Sequence, residues 1–481
     1  MAAESGLKLD REFDAVVVGA GPNGLVAAAT LGIAGWRVLL VEAGPEVGGG
    51  TRSEPLTLPG FVHDVCSAIH PLGAASPAMR SLPLAEHGLE WIHPDMPLAH
   101  PLDGGRLARL ERGVDATAAG LGADGRAYRR LVRPFVDSGT ALIDGLMSPL
   151  DLPPRHPLLL ARYGAVGVLP ATFVARRFHT DEAAALFSGL AAHSILSLRA
   201  PVTTGFGLFL GVLAHSVGWP MAKGGSAAIA DALAAIVRAN GGAIVCDHRV
   251  TSLRDLPPAR ATLLDLTPRQ VLGIDDGRLP ARYRRTLERF RYGPGVFKID
   301  WALDGPVPWT NPAAARAATV HLGGTGAEIA ASEGDVQRGR IPDRPFTLFV
   351  QPSSFDPTRA PAGKHTGWAY CHVPHGSTAD MTDAIERQVE RFAPGFRDQV
   401  LARHTMGPAE MEAHNANYVG GDINGGKSDL RQFFARPRLS LHPWATPTRG
   451  LYLCSSSTPP GGGVHGMCGW NAAKLVLRRE G

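Results

Sequence analysis

The run Gly19-Ala20-Gly21-Pro22-Asn23-Gly24 has the spacing that cradles a pyrophosphate. Gly19 permits a tight turn, Gly21 lets backbone approach a phosphate, and Gly24 lets a helix pack closely on a strand. Glu42 follows at about the 20-residue distance at which a carboxylate accepts hydrogen bonds from ribose hydroxyls. The elements that must position these residues are legible on either side. Ala15-Val16-Val17-Val18 is a short β-branched run, as in a buried parallel strand. Residues 25–33 are helix-prone, and residues 36–41 form a second strand that ends at Glu42. The helix N-terminus would offer free N–H groups and a partial positive charge to phosphates. Strand, glycine turn, helix, strand and acid together predict a dinucleotide site, not a membrane span.

The rest of the composition narrows the class. With 481 residues the chain can hold two or three domains and a large core. Its 58 Gly and 39 Pro remain below the ~25–30% that marks low-complexity chains. A 44% hydrophobic fraction fits a globular fold and excludes collagen-like, disordered and coiled-coil readings. Net charge is +4, lysine is scarce, and no dense basic run occurs, so no nucleic-acid partner is expected. Cys66, Cys246, Cys371, Cys454 and Cys468 form no CxxC pair, which predicts neither a disulfide framework nor a zinc site, and fits a reducing, cytoplasmic compartment. Residues 1–14 mix charges without an apolar core, so no signal peptide is expected.

Three further segments add to the site. Directly after Glu42 comes Ala43-Gly44-Pro45-Glu46-Val47-Gly48-Gly49-Gly50-Thr51-Arg52-Ser53. This second glycine cluster resembles that of flavoproteins of the glutathione-reductase and amine-oxidase lineages, where the turn passes the flavin's pyrophosphate. Their motif commonly reads GGR; here Gly50 holds the third position and Arg52 follows. Mid-chain, Gly224-Gly225-Ser226 precedes an apolar-periodic helix to Asn240, then Gly241-Gly242 and a strand reaching Val250. Near the end, a strand at 451–454 runs into Ser455-Ser456-Ser457-Thr458-Pro459-Pro460-Gly461-Gly462-Gly463-Val464-His465-Gly466, followed by a helical pattern.

Together these segments resemble the phytoene desaturase-related FAD oxidoreductases over nearly the whole chain, including Arg436-Pro437. The resemblance implies an α/β fold: a glutathione-reductase-like, amine-oxidase-like FAD-binding Rossmann domain plus a discontinuous mixed α+β substrate domain. The expected division is 10–65, 219–290 and 446–481 for FAD, with 66–218 and 291–445 for substrate. FAD, held noncovalently, would meet Gly19, Gly21, Pro22, Asn23, Gly24, Glu42, Ala43, Gly49, Gly50, Thr51, Arg52, Val250, Gly462, Gly463, Val464 and His465. Carotenoid desaturases have Gly-Ala-Gly where this chain has Ser455-Ser456-Ser457, and His and Pro where it has Pro459 and His465. Those departures argue against a carotenoid substrate while keeping backbone contacts to FAD.

Within the substrate blocks, 66–218 reads as helix-rich. Strand-like runs fall at 296–303, 319–323, 346–351 and 367–373, with a helix at 382–392. No second GxGxxG with a following acid occurs, so a stable nicotinamide site is not expected, and oxygen or a quinone would reoxidise the flavin. His63, Asp64 and His465 are the catalytic candidates; His372 and His375 lack a third ligand, so no metal is expected. The apolar stretches 158–174 and 203–219 are interrupted by Gly, Pro and Arg and are not clean spans. They read as pocket helices or as a peripheral membrane entrance for a lipophilic substrate. The expected activity is dehydrogenation of a largely apolar small molecule by hydride transfer to flavin N5. The alternatives are saturation or isomerisation on the same scaffold, a flavin-binding regulatory protein without turnover, and a nicotinamide-dependent dehydrogenase.

Overall fold

The structure, a computed structural model, describes residues 12–149 and 154–481. Most of the N-terminal stretch 1–14, and positions 10 and 11 of the expected nucleotide segment, lie outside the described residues. The run Ala15–Val18 forms a fully buried strand at the centre of a five-stranded parallel sheet. The order is Leu451–Leu453, Ala261–Leu264, Ala15–Val18, Val38–Val41, Ala243–Val245. Chain segments far apart in sequence thus meet side by side, and their C-terminal ends carry the loops that line the site, as open parallel sheets do.

The first helix, Pro22–Ile33, begins earlier than its apolar pattern indicates. Pro22 has no N–H to leave unpaired and its φ suits a first helical position. The last helix, Met467–Glu480, lies against it so closely that a Cβ on Gly469 would overlap the Asn23 carbonyl. This contact brings the C-terminal glycine loop beside the N-terminal one.

The strand after the mid-chain helix is shorter than expected. It ends at Val245, because Asp247 takes a left-handed φ of 54° and the chain turns across the Glu42 loop. There Asp247 N–H donates to Gly44 O (2.8 Å) and His248 N–H to Glu42 O (2.9 Å). Val250 therefore reaches the site from a loop.

A seven-stranded mixed sheet forms the second layer, in the order Val400–Met406, Gly295–Leu303, His365–Val373, Thr347–Val350, Ala317–Leu322, Met96–Pro101, Leu107–Leu110. Its pairs are antiparallel except Ala317–Leu322 with Met96–Pro101. Two of its strands come from the block that reads as helical in sequence. Helices Pro157–Gly167, Asp181–Ala192 and Thr203–Ser216 cover the adjoining space. Among the described residues no helix is long and apolar enough to cross a membrane.

Candidate functional site

A single cavity of about 1430 Å³ runs from the ends of the parallel strands to the helices over the mixed sheet. That exceeds the ~300–1,000 Å³ of a drug-sized site, leaving room for a dinucleotide and a second ligand. Gly19, Gly21, Pro22, Asn23, Glu42, Ala43, Gly49, Gly50, Arg52 and Val250 all line it, as do Gly462, Gly463, Val464 and His465. Gly24 and Thr51 stand behind the wall. A Cβ on Gly24 would overlap the Gly19 carbonyl, so its lack of a side chain closes the turn. Thr51 Oγ1 donates to Gly48 O at 2.8 Å and holds the second glycine turn.

Glu42 is anchored at both oxygens. It accepts from Ala20 N–H (2.7 Å) and Gly44 N–H (2.8 Å), tying the two glycine turns together. Arg52 Nη2 lies 3.6 Å from Glu42 and donates to Glu46 O at 2.6 Å. Its Nε is buried with no protein partner, and Gly44 has no Cβ that would collide with the guanidinium. An orphaned charged donor on a wall of glycine backbone fits a pyrophosphate.

The helix N-terminus offers fewer amides than the sequence suggests. Pro22 has none, and Gly24 N–H donates to Asp265 Oδ2 at 2.9 Å. Asp265, at the end of strand Ala261–Leu264, is buried, lines the cavity and sits beneath Gly21. Burial pushes its carboxyl up to about 7; the Gly24 hydrogen bond opposes this and nearby Glu42 adds to it. No motif announced Asp265, because its partners lie some 240 residues away.

The C-terminal loop is held by its own residues. His465 Nδ1 accepts from Met467 N–H at 3.0 Å, and the ring also bonds the backbone of Gly461 and Gly462. Burial lowers its pKa to about 4 despite those contacts. Its Nδ1 is thus engaged in shaping the loop. Arg436, buried nearby, donates to the carbonyls of Ser456 (2.8 Å) and Asn424 (2.7 Å), joining this loop to residues 420–426. The glycines of that stretch meet protein: Gly425 packs on Ser456 and Gly426 on Phe290. Only Ile423 and Asn424 between them line the cavity.

His63 and Asp64 do not line the cavity. Asp64 is fully buried, 2.9 Å from Arg359, and accepts from Ser226 N–H (2.7 Å) and Ser53 Oγ (2.8 Å). Burial alone would raise its pKa, but Arg359 and these hydrogen bonds bring it below the usual carboxylate value. His63 sits 3.7 Å from Asp300, which is ion-paired with buried Lys298. Burial takes its pKa down to about 4, against the pull of Asp300. This Lys298–Asp300–His63 cluster was invisible in sequence, where the two strands that carry it share no pattern. His372 pairs with Glu333 at 2.9 Å and His375 with Gly293 O at 2.8 Å, so they serve different contacts.

Beyond the glycine loops the cavity widens into a chamber. Thr319, Leu348, Val350, Trp368 and Tyr370 face it from the mixed sheet. Tyr163, Phe206, Phe209 and Leu210 face it from the helices, and none of these wall residues is charged.

Comparison with known proteins agrees with this geometry. A family model described as an NAD(P)-binding Rossmann-like domain matches residues 17–82. The chain is 28% identical to pyridine nucleotide-disulfide oxidoreductase domain-containing protein 2 of Mus musculus, over 99% of this chain and 95% of that one. It is 28% identical to phytoene dehydrogenase of Streptomyces griseus, over 80% and 77% respectively. Putrescine oxidase, solved with putrescine bound, superposes with a TM-score of 0.62 at 16% identity, over 97% of this chain and 99% of that one. The chain is thus similar in sequence to these two oxidoreductases, and it shares the fold of putrescine oxidase.

Proposed function

We propose that this protein holds FAD noncovalently along the glycine-built half of the cavity and dehydrogenates a largely apolar, uncharged small molecule in the other half. The observation that carries the reading is the continuity of the cavity: the glycine turns beside Glu42 and Arg52 and the uncharged residues of the mixed sheet and helices line one space. When bound, FAD supplies the two-electron oxidant that takes a hydride from the substrate. The chain itself positions and excludes water. Gly19, Gly21, Gly49 and Gly462 admit backbone approach, Arg52 offers a cation to the phosphates, and Glu42 offers its remaining lone pairs to a ribose. Trp368, Tyr370 and Phe206 shape the substrate space.

An amine substrate such as putrescine, bound by the structural neighbour, would need a carboxylate or an aromatic cage for its ammonium. The chamber walls named above supply no carboxylate, and only their aromatic side chains, Trp368 and Tyr370 among them, could face an ammonium. Cys454 and Cys468 are buried and do not line the cavity, so neither offers a covalent link to a flavin bound there. A reducing, cytoplasmic setting belongs to the same proposal and is supported by five unpaired cysteines. Oxygen or a quinone completes the cycle. The test is anaerobic mixing of the FAD-loaded protein with a panel of apolar alcohols, ketones, alkenes and amines. Bleaching of the flavin by a neutral member, and its return on adding oxygen or a quinone, supports the proposal. Bleaching by amines alone overturns the substrate class, and no bleaching by any member favours a flavin-binding regulatory role.

A further inference from the structure

The uncharged chamber carries one histidine on its helix side. His193, just past the C-terminus of helix Asp181–Ala192, lines the cavity against Trp219, with ring centroids 5.7 Å apart. Its Nε2 lies 3.0 Å from Nε2 of His321 on the mixed sheet. One of these nitrogens must donate and the other accept, so the contact locks the His193 ring and leaves its Nδ1 edge for other partners. Thr319 lies two residues before His321 on the same face of its strand, and also lines the cavity. Its Oγ1 is buried and has no hydrogen-bond partner in the protein. Buried hydroxyls are nearly always paired, so an unpaired one on a ligand wall points to a group that arrives with the ligand. The Tyr370 side chain lines the same wall.

The surroundings are built to keep His193 there. A Cβ on Gly189 would come within 2.7 Å of His321 Nδ1, so only glycine lets that imidazole lie under the helix. Ile195 and Val202 both hold left-handed φ values, 51° and 68°, and both line the chamber. β-Branched residues adopt that conformation only where surrounding structure imposes it, and such strain concentrates at ligand sites. Burial keeps the His193 ring neutral, lowering its pKa to about 3. A neutral imidazole and a hydroxyl on one wall suit an uncharged oxygen and offer an ammonium no countercharge.

We infer that His193 and Thr319 form a hydrogen-bonding station for one neutral oxygen function, a hydroxyl or carbonyl, on an otherwise apolar substrate. The inference narrows the apolar class in the proposed function and rests on that reading for the role of the chamber.

The test uses ten-carbon probes of equal length: decane, decan-1-ol, decan-2-one, decylammonium and decanoate. Binding is read from the intrinsic tryptophan fluorescence of the flavin-free protein, to which Trp219 and Trp368 on the cavity wall contribute. FAD uptake is measured separately, so failure of the flavin assignment is seen independently of the probe series. The alcohol and ketone should bind at least tenfold more tightly than decane. His193→Phe and, as a gentler change on the sheet, Thr319→Val should each cut that preference at least threefold with little change for decane. The inference is overturned if decane binds as tightly as its oxygenated partners, if a charged probe binds best, or if the preference survives in both variants.

Discussion

The Asp265 carboxylate accepts a hydrogen bond from Gly24 N–H at 2.9 Å, placing an ionisable group under the turn that would carry a pyrophosphate. Its folded pKa, about 7, is above the unfolded value of 3.8. Between those values the folded chain keeps a proton that the unfolded chain has released, so Asp265 makes stability fall as pH rises through that window. Asp265→Asn keeps an acceptor for Gly24 and removes the titration. The flavin-free variant should lose less of its Tm between pH 5 and pH 8 than the parent. The same charge opposes an incoming phosphate, so FAD affinity of the parent should weaken as pH passes 7 while that of the variant stays level. Isothermal titration at pH 6 and pH 8 checks this.

Gly21→Ala separates binding from folding. The added Cβ would meet Asp265 Oδ2 at 2.9 Å, the end of a side chain, and displace the carboxylate that holds Gly24 N–H in the turn. We expect a small change in Tm and at least a tenfold loss of FAD affinity. Gly24→Ala puts its Cβ onto the Gly19 carbonyl, which is backbone, so it should lower Tm as well. Differential scanning fluorimetry with and without FAD distinguishes the two.

Arg359→Met tests the role given to Asp64. Both partners are fully buried, and removing the cation leaves a carboxylate with only its neutral donors. Losing one member of a buried pair costs about 3–5 kcal/mol. Asp64 has a lowered folded pKa, so its stabilising contribution is present above the unfolded pKa and is lost as pH falls through the folded value. The variant should therefore be destabilised at pH 7 and show a weaker loss of stability on acidification, measured by urea unfolding.

The cavity mouth carries exposed apolar side chains: Phe433 (49%), Phe434 (65%), Leu439 (81%) and Leu441 (64%). Because they line the same cavity as the chamber, we propose a peripheral lipid contact at these residues, outside the 158–174 and 203–219 stretches that the sequence suggests, through which an apolar substrate enters. Sedimentation with phosphatidylcholine/phosphatidylglycerol vesicles should recover the parent protein. Phe433→Ser/Phe434→Ser should reduce that recovery several-fold without shifting Tm. Equal recovery would sink the lipid contact.

What could be read in the sequence follows from how local each feature is. The β-branched run at Ala15–Val18, the Gly19–Gly24 turn and Glu42 are contiguous, so one short window carries strand, turn, helix and acid. The C-terminal loop was legible for the same reason. Met96–Pro101 escaped because Pro97 and Pro101 argue against an internal strand, yet it pairs on both sides. Asp265, His193 and Lys298 escaped because each acquires its meaning from partners brought by another segment: Gly24, His321 and the Asp300–His63 pair. His63 and Asp64 looked chemical because polar residues follow a glycine cluster, but burial turned them towards an ion-pair network. The glycines of residues 420–426 make room for neighbouring side chains, His375, Pro408, Ser456 and Phe290, that only the fold brings to them.

The central claim is tested most directly by titrating the purified, flavin-stripped protein with FAD and, in parallel, with NAD and NADP. The account predicts one FAD bound per chain with a perturbed visible spectrum, released intact by acid precipitation, and weak or no binding of either nicotinamide dinucleotide. Tight nicotinamide binding with no uptake of FAD would contradict it.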